Sequence, residues 1–429
     1  MLRAVVLLAM VGVLVAGVAG VLALERAPRA PMGVPPTPED VAAARDLLQN
    51  LRDISETPGN DDRVTVTADE MNGLFRIGAR TLPGLGGQAR IEGGALAVDL
   101  SLPMPGLPDL GWLNLTAVIP PFEEGVKVRE LRLGRLPLPP GLAQSVALEA
   151  IDRRFGDALG SGMVKRFPRM ALSGEAVVVD VAIDVDSRQA MARSTFEALH
   201  GNSMPTLEDI AAHVAVFEAA RGDGRLPVRA PLFTYYELML DAAAERAAAR
   251  PDDPLRELVA GFLAIGHVCG TPTLLHLIGP RPSETMSALP DPGPICAQAS
   301  LSGRRDLRQH FVTAAAIKAA STRSVALSAG EAKELLDLFR TGFDFTDMAA
   351  NNSGIRFAER LFAAAPEDWP RLARAVTAES DVMIPLDGLP GAMTRAEFEE
   401  RFGAVDSPGY LRLMDQIEAR IDALPFHAM

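Results

Sequence analysis

Between residues 304 and 362 lie the side chains best suited to chemistry: one imidazole, His310, three carboxylates, Glu334, Asp337 and Asp347, and one carboxamide, Asn351. An imidazole beside a carboxylate moves protons near neutral pH. A mixed His and carboxylate set with an open position also suits a divalent metal. A single histidine is thin for zinc, so the sequence assigns no metal-ligand set and leaves the cofactor unknown. Each residue also has a structural reading. His310 can be a core histidine bonded to a backbone carbonyl, and Asn351 beside it can belong to a satisfied polar network between packed helices.

Three helices must position these groups. Leu307, His310, Phe311, Ala314 and Ile317 form one apolar stripe, which puts His310 on the buried face. The stretch Ser328-Ala-Gly-Glu331 reads as the cap of a second helix. In it Glu334 and Asp337 share a face opposite Ala332, Leu335, Leu336 and Phe339, which predicts exposed charge. Thr346 can cap a third helix with Met348, Ile355, Ala358 and Phe362 as its stripe. Asn351 falls on that stripe and Asp347 at its edge. Gly354 and Ala358, small and one turn apart, permit close approach of another helix.

The commonest enzyme signatures are missing: no P-loop, no HExxH, no nucleophile elbow, no Rossmann glycine pattern. The net charge of −13 and the absence of a basic run argue against a nucleic-acid partner.

The rest of the chain predicts an α+β protein with an N-terminal membrane anchor, an antiparallel β-rich domain and then an all-α domain. Residues 4–24 are continuously apolar, and a helix of about 20 residues spans a bilayer. Arg3 ahead of the run places the N-terminus inside, an inner-membrane, single-pass topology with the bulk of the chain in the periplasm. A cleaved signal peptide is the rival, and both readings export the remainder of the chain. Residues 25–40 are Pro-rich and read as a stiff spacer. Residues 41–190 form the β-rich region. It opens with a helix over 39–53 whose face carries Val41, Ala44, Leu47, Leu48 and Leu51. Strands come next at Val64–Val66, at Ala89–Ile91 turning through Gly93-Gly94, at Leu96–Leu102 and at Leu113–Ile119. A bulged strand over Val126–Leu133 and a long strand Val177–Val185 complete it. Thr67 and Glu70 form a capping box for a short helix. Residues 191–429 read as helical. Leu258–Gly279 is apolar enough to raise a second membrane span, but Pro272, His267 and His276 favour a buried helix pair. The only two cysteines, Cys269 and Cys296, fit a structural disulfide in an exported protein, with unpaired buried thiols as the alternative.

A resemblance runs through the third region. Asp306-x-x-Gln309-His310-Phe311, then Lys333-Glu334-x-x-Asp337, then Gly342-Phe343-x-Phe345-x-Asp347-x-x-Ala350-Asn351-x-x-Gly354 resembles a pattern of uncharacterised exported or membrane-anchored bacterial envelope proteins. It is similar, more faintly, to YfiM-like periplasmic lipoproteins and VanZ-like membrane proteins. It covers about 50 residues, implies a bacterial envelope setting and supplies no residue roles. The β-rich region faintly resembles extracytoplasmic domains of the YpmS type. The expected function is therefore an envelope protein binding a lipid, glycan or protein partner, with the membrane contacted through the N-terminal helix. The alternative is a metal- or His/carboxylate-dependent hydrolase acting on an envelope substrate.

Overall fold

The computed structural model describes residues 22–57, 59, 62–155, 160–200, 204–271, 274–275, 289 and 293–429. These fall into two units, residues up to Asp184 and Val185–Met429.

The first unit contains β1 (Leu24–Glu25), α1 (Pro38–Glu56), β2 (Arg63–Thr67), α2 (Ala68–Thr81), β3 (Gly86–Glu92), β4 (Ala95–Pro103), β5 (Trp112–Ile119), β6 (Glu130–Leu133), β7 (Leu136–Leu138), α3 (Pro140–Phe155), α4 (Ser161–Lys165), β8 (Arg169–Ser173) and β9 (Ala176–Asp180). All strand pairs are antiparallel. One sheet runs β3-β4-β5-β6-β7 with β1 added on β5, and the other runs β2-β9-β8. Gly93 and Gly94, at φ +55° and +68°, make the tight β3–β4 turn in which both central residues must be left-handed. The Thr67–Glu70 capping box is present. Met71 and Phe75 of α2 pack against a core of Ala89, Leu96, Phe122, Met170 and Val177.

Four expectations for this unit need correction. Leu24 is a strand residue paired with Leu113, so the apolar run does not continue as helix to its end. Residues 25–30 are not a free spacer. The Arg29 and Ala30 amides donate to Ser101 Oγ at 3.0 Å, and Asn114 Nδ2 donates to Glu25 Oε2 at 2.6 Å, so buried polar groups of the sheet tie the segment down. The bulged strand over Val126–Leu133 shrinks to Glu130–Leu133. Gly125 turns left-handed at φ +71°, its amide donates to Pro168 O, and Val126 packs into the core instead. The last strand stops at Asp180, and Val185 opens a helix. In α1 Leu48 is exposed although Val41 is buried. Residues 4–21 lie outside the described residues. Among the described residues no helix is long and apolar enough to cross a membrane.

The second unit is helical: α5 (Val185–His200), α6 (Leu207–Gly222), α7 (Leu232–Ala248), α8 (Leu255–Cys269), α9 (Gly293–Cys296), α10 (Arg305–Ala320), α11 (Arg323–Asp337), α12 (Phe345–Phe362), α13 (Trp369–Ala375), α14 (Arg395–Phe402), α15 (Pro408–Asp422) and α16 (Pro425–Ala428). An antiparallel β region followed by an all-helical one is thus the architecture, as the sequence pattern predicts. Helix α12 is buried on nearly every side, its polar Thr346, Asp347, Asn351, Asn352 and Ser353 included. Its Gly354 sits against α10 so closely that a Cβ would lie 2.1 Å from Phe311 O. Phe233, Tyr236, Phe262, Phe311, Phe357 and Phe426 form a continuous aromatic core. Cys269, the last residue of α8, is disulfide-bonded to Cys296, with Cα atoms 5.1 Å apart. Pro272 and His276 lie outside the described residues.

Candidate functional site

Helices α10, α11 and α12 bring four of the five predicted site residues together. His310 Nε2 lies 2.9 Å from Asp347 Oδ2, and ligand atoms of His310, Glu334 and Asp347 all fall within 4.8 Å of one another. Asn351, one turn after Asp347, faces the other ring nitrogen: its Oδ1 lies 3.1 Å from His310 Nδ1. Asp337 stands apart from the trio, its carboxylate bonded to Lys333 Nζ at 2.7 Å.

The local causes differ from those the sequence pattern implies. Helix α11 begins five residues before Ser328, because Thr322 accepts from the Val325 amide and provides an earlier cap. Ser328 is interior and donates back to Ser324 O. Glu334 lies in the packed interior, where its side chain has no exposure, so the expected exposed charge is wrong for this residue. Helix α12 likewise begins before Thr346. Asp344 is its cap, and Asp344 Oδ1 accepts from both the amide and the hydroxyl of Thr346. His310 is bonded to side chains rather than to a backbone carbonyl.

Both ring nitrogens of His310 face acceptors. If Nδ1 donates to Asn351 Oδ1, Nε2 of the neutral ring presents a lone pair to a carboxylate oxygen, and two acceptors 2.9 Å apart require a cation between them, a proton or a metal. Charge counting points the same way. Arg304 faces Asp306, Asp344 and Asp347, and Lys333 faces Glu334 and Asp337, so five carboxylates meet two cations. Burial pushes the Glu334 carboxyl up to about 7, with Asp347 adding to the shift and Lys333 and His310 opposing it. Among the described residues its oxygens receive the Asp344 amide at 3.1 Å and Lys333 at 3.4 Å. For Lys333, burial favours the neutral amine, but the Glu334 and Asp337 carboxylates outweigh it and the net shift is upward.

A cleft of about 100 Å³ reaches His310 and Asn351. Thr271, Gln309, Thr313 and Lys333 line it, and Lys333 is half exposed at its edge. Asn351 Nδ2, in a side chain buried beside Gly330, has no hydrogen-bond partner among the described residues. It offers a donor to whatever enters.

Sequence reasoning missed Arg304 and Asp344. Asp344 had a signal, an acidic residue two positions before Thr346 where an Asx cap forms. Arg304 had none, since only folding places it 3.2 Å from Asp347. A second buried polar cluster joins α6 and α8, where His213 meets Glu257 and both Glu257 and Asp209 are bonded by arginines. Burial raises the Asp209 and Glu257 carboxyls, but their hydrogen bonds outweigh it and hold both below the usual range. None of these residues lines the cleft at His310, and the arginines account for the charge, so the cluster reads as structural.

Compared with protein-family models, curated proteins and solved structures, the chain finds no match.

Proposed function

We propose that the protein is a membrane-tethered, extracytoplasmic hydrolase whose helical unit holds a divalent metal ion on His310, Glu334 and Asp347. The observation that carries this reading is the pairing of His310 Nε2 with a buried carboxylate while its other nitrogen is oriented by Asn351. Metal-ligating histidines characteristically give their second ring nitrogen to such an outer partner. The same contact weakens simple acid–base catalysis, because a histidine with both nitrogens engaged has none left to take a proton from water in the cleft. Two ligands at tetrahedral zinc bond lengths sit about 3.4 Å apart, so His310 and Asp347 need to part by about 0.5 Å. A bound metal lowers the pKa of water and polarises a carbonyl or phosphoryl oxygen. Without a metal, burial holds the Glu334 carboxyl up at about 7, and a bound cation would favour its ionised, ligating form. Asn351 Nδ2 is placed to donate to an oxygen that gains charge. The apolar run over residues 4–24 supplies the tether and the envelope address.

The test is metal content and titration calorimetry of the purified full-length chain with Zn²⁺ and Mn²⁺. One equivalent per chain is expected, lost in His310→Ala and Asp347→Ala. Absence of binding, or binding unchanged in both variants, sinks the reading. A second reading, a polar packing network in a protein that binds an envelope lipid, glycan or protein, is favoured by Arg304 and Lys333 already pairing with Asp347 and Glu334. Under it both variants lose stability and metal never binds.

A further inference from the structure

The place where the apolar run meets the fold has properties of its own. Leu24 and Glu25 pair with Leu113 and Trp112 at one end of the six-stranded sheet. The preceding residues pass over Gly134, where a Cβ would lie 2.5 Å from the carbonyl oxygens of Leu22 and Ala23, and the Arg135 amide donates to Leu22 O. At this same end the β4–β5 connection closes through Pro103 paired with Trp112 and the Met104 amide donating to Gly111 O. The connection exposes Leu107 and Leu110, 55% and 59%, with Leu102 at 41% on the strand leading into it. Leu82, 61% exposed, joins them, because its turn lies against Pro103 through Gly84. Large exposed leucines gathered at one sheet end are unusual for a surface that meets only water. Arg26 and Arg135, both exposed, flank the point of entry, and Asp109 is the one acidic residue of residues 104–111.

We infer that this end of the sheet rests in the bilayer surface, with Leu102, Leu107 and Leu110 among the acyl chains and Arg26 and Arg135 at the level of anionic headgroups. The inference rests on the proposed tether. It adds that the β-rich unit is held against the membrane in one orientation rather than hanging free from its anchor. The occupant is a lipid surface because the apolar run continues into residues 4–21 directly ahead of the Leu22–Leu24 segment that the sheet engages at this end, so a bilayer that receives it lies beside these leucines. Arginines beside exposed leucines match the boundary between anionic headgroups and acyl chains.

The experiment uses the full-length chain reconstituted in vesicles of phosphatidylcholine and phosphatidylglycerol, with an environment-sensitive fluorophore on Leu107→Cys or Leu110→Cys. The control is Glu92→Cys, at the opposite end of the sheet beside the Gly93-Gly94 turn and 63% exposed. The native cysteines are paired and leave no competing thiol. Probes at 107 and 110 are expected to lie about 5–10 Å below the headgroups. Their emission shifts to the blue, lipid-chain nitroxides quench them and aqueous iodide does not, while the probe at 92 behaves as in water. Vesicle-bound protein with all three probes equally open to iodide overturns the docking and leaves the tether standing. Equal burial of the probe at 92 also overturns it. Failure of the chain to float with vesicles removes the tether and the docking together.

Discussion

Replacing Glu334 by glutamine isolates the charge on which the metal reading depends. The buried carboxyl titrates at about 7 rather than 4.5. Between those values the folded protein keeps a proton that the unfolded chain has released. The unfolded state therefore binds fewer protons, and stability falls as pH rises through this window and levels off above about 7. The difference of 2.5 in pKa corresponds to roughly 3 kcal/mol at about 1.4 kcal/mol per unit. Glutamine can still accept from the Asp344 amide but carries no charge, so it escapes this loss. It forfeits the contact with half-exposed Lys333, worth about 1 kcal/mol or less. In the metal-free protein the Glu334→Gln variant is thus expected to match or fall slightly below the parent at pH 5. At pH 8 it should exceed it by about 2–3 kcal/mol. For a unit of 245 residues, Val185–Met429, that is a rise of roughly 4–12 °C in melting temperature. Thermal melts followed by circular dichroism with chelator present, at pH 5, 6, 7 and 8, give the comparison. Zn²⁺ at a thousand times its dissociation constant should reverse the order at pH 8, because the parent gains about 4.1 kcal/mol and the variant loses a ligand. A variant equally destabilised at pH 5 and pH 8 would show that Glu334 is a paired carboxylate in a fixed network, and the reasoning would fail.

Asn351→Ala should weaken metal binding about 10–100-fold without removing a ligand, measured by competition with a chromophoric chelator. Unchanged affinity would deny Asn351 its orienting role. Gly354→Ala forces a methyl to within 2.1 Å of Phe311 O unless α10 and α12 separate. Denaturant titration should show a loss at or above the 1–3 kcal/mol typical of overpacking. The paired Cys269→Ser, Cys296→Ser variant opens a crosslink across a sequence separation of 27 and should lose about 3–4 kcal/mol of unfolding free energy, compared at equal denaturant and neutral pH.

The order of elements was legible because local patterns report it. Alternation marked β2, β4 and β5, the Gly-Gly pair marked the β3–β4 turn, and a capping box marked α2. The failures came where distant partners compete with local pattern. Residues 25–30 look like a spacer until Ser101 and Asn114 claim their amides and carbonyls. Val126 looks like a strand residue until Gly125 turns and the core takes it.

By itself the sequence determined which chemistry is possible and on which helices it sits. Residues 304–362 carry a single imidazole with carboxylates and carboxamides at spacings that put His310 and Asn351 on buried stripes. The sequence also determined that Gly354 lets two helices meet. Only the tertiary structure decided that Glu334 belongs inside and Asp337 does not. A helix face is polar or buried according to what packs on it, and Ala326, Gly330 and Glu334 share the face of α11 that meets α12. The structure likewise decided that His310 faces a carboxylate on one nitrogen and an amide on the other. That arrangement requires two helices, α10 and α12, to cross at one point, and no local spacing encodes the crossing.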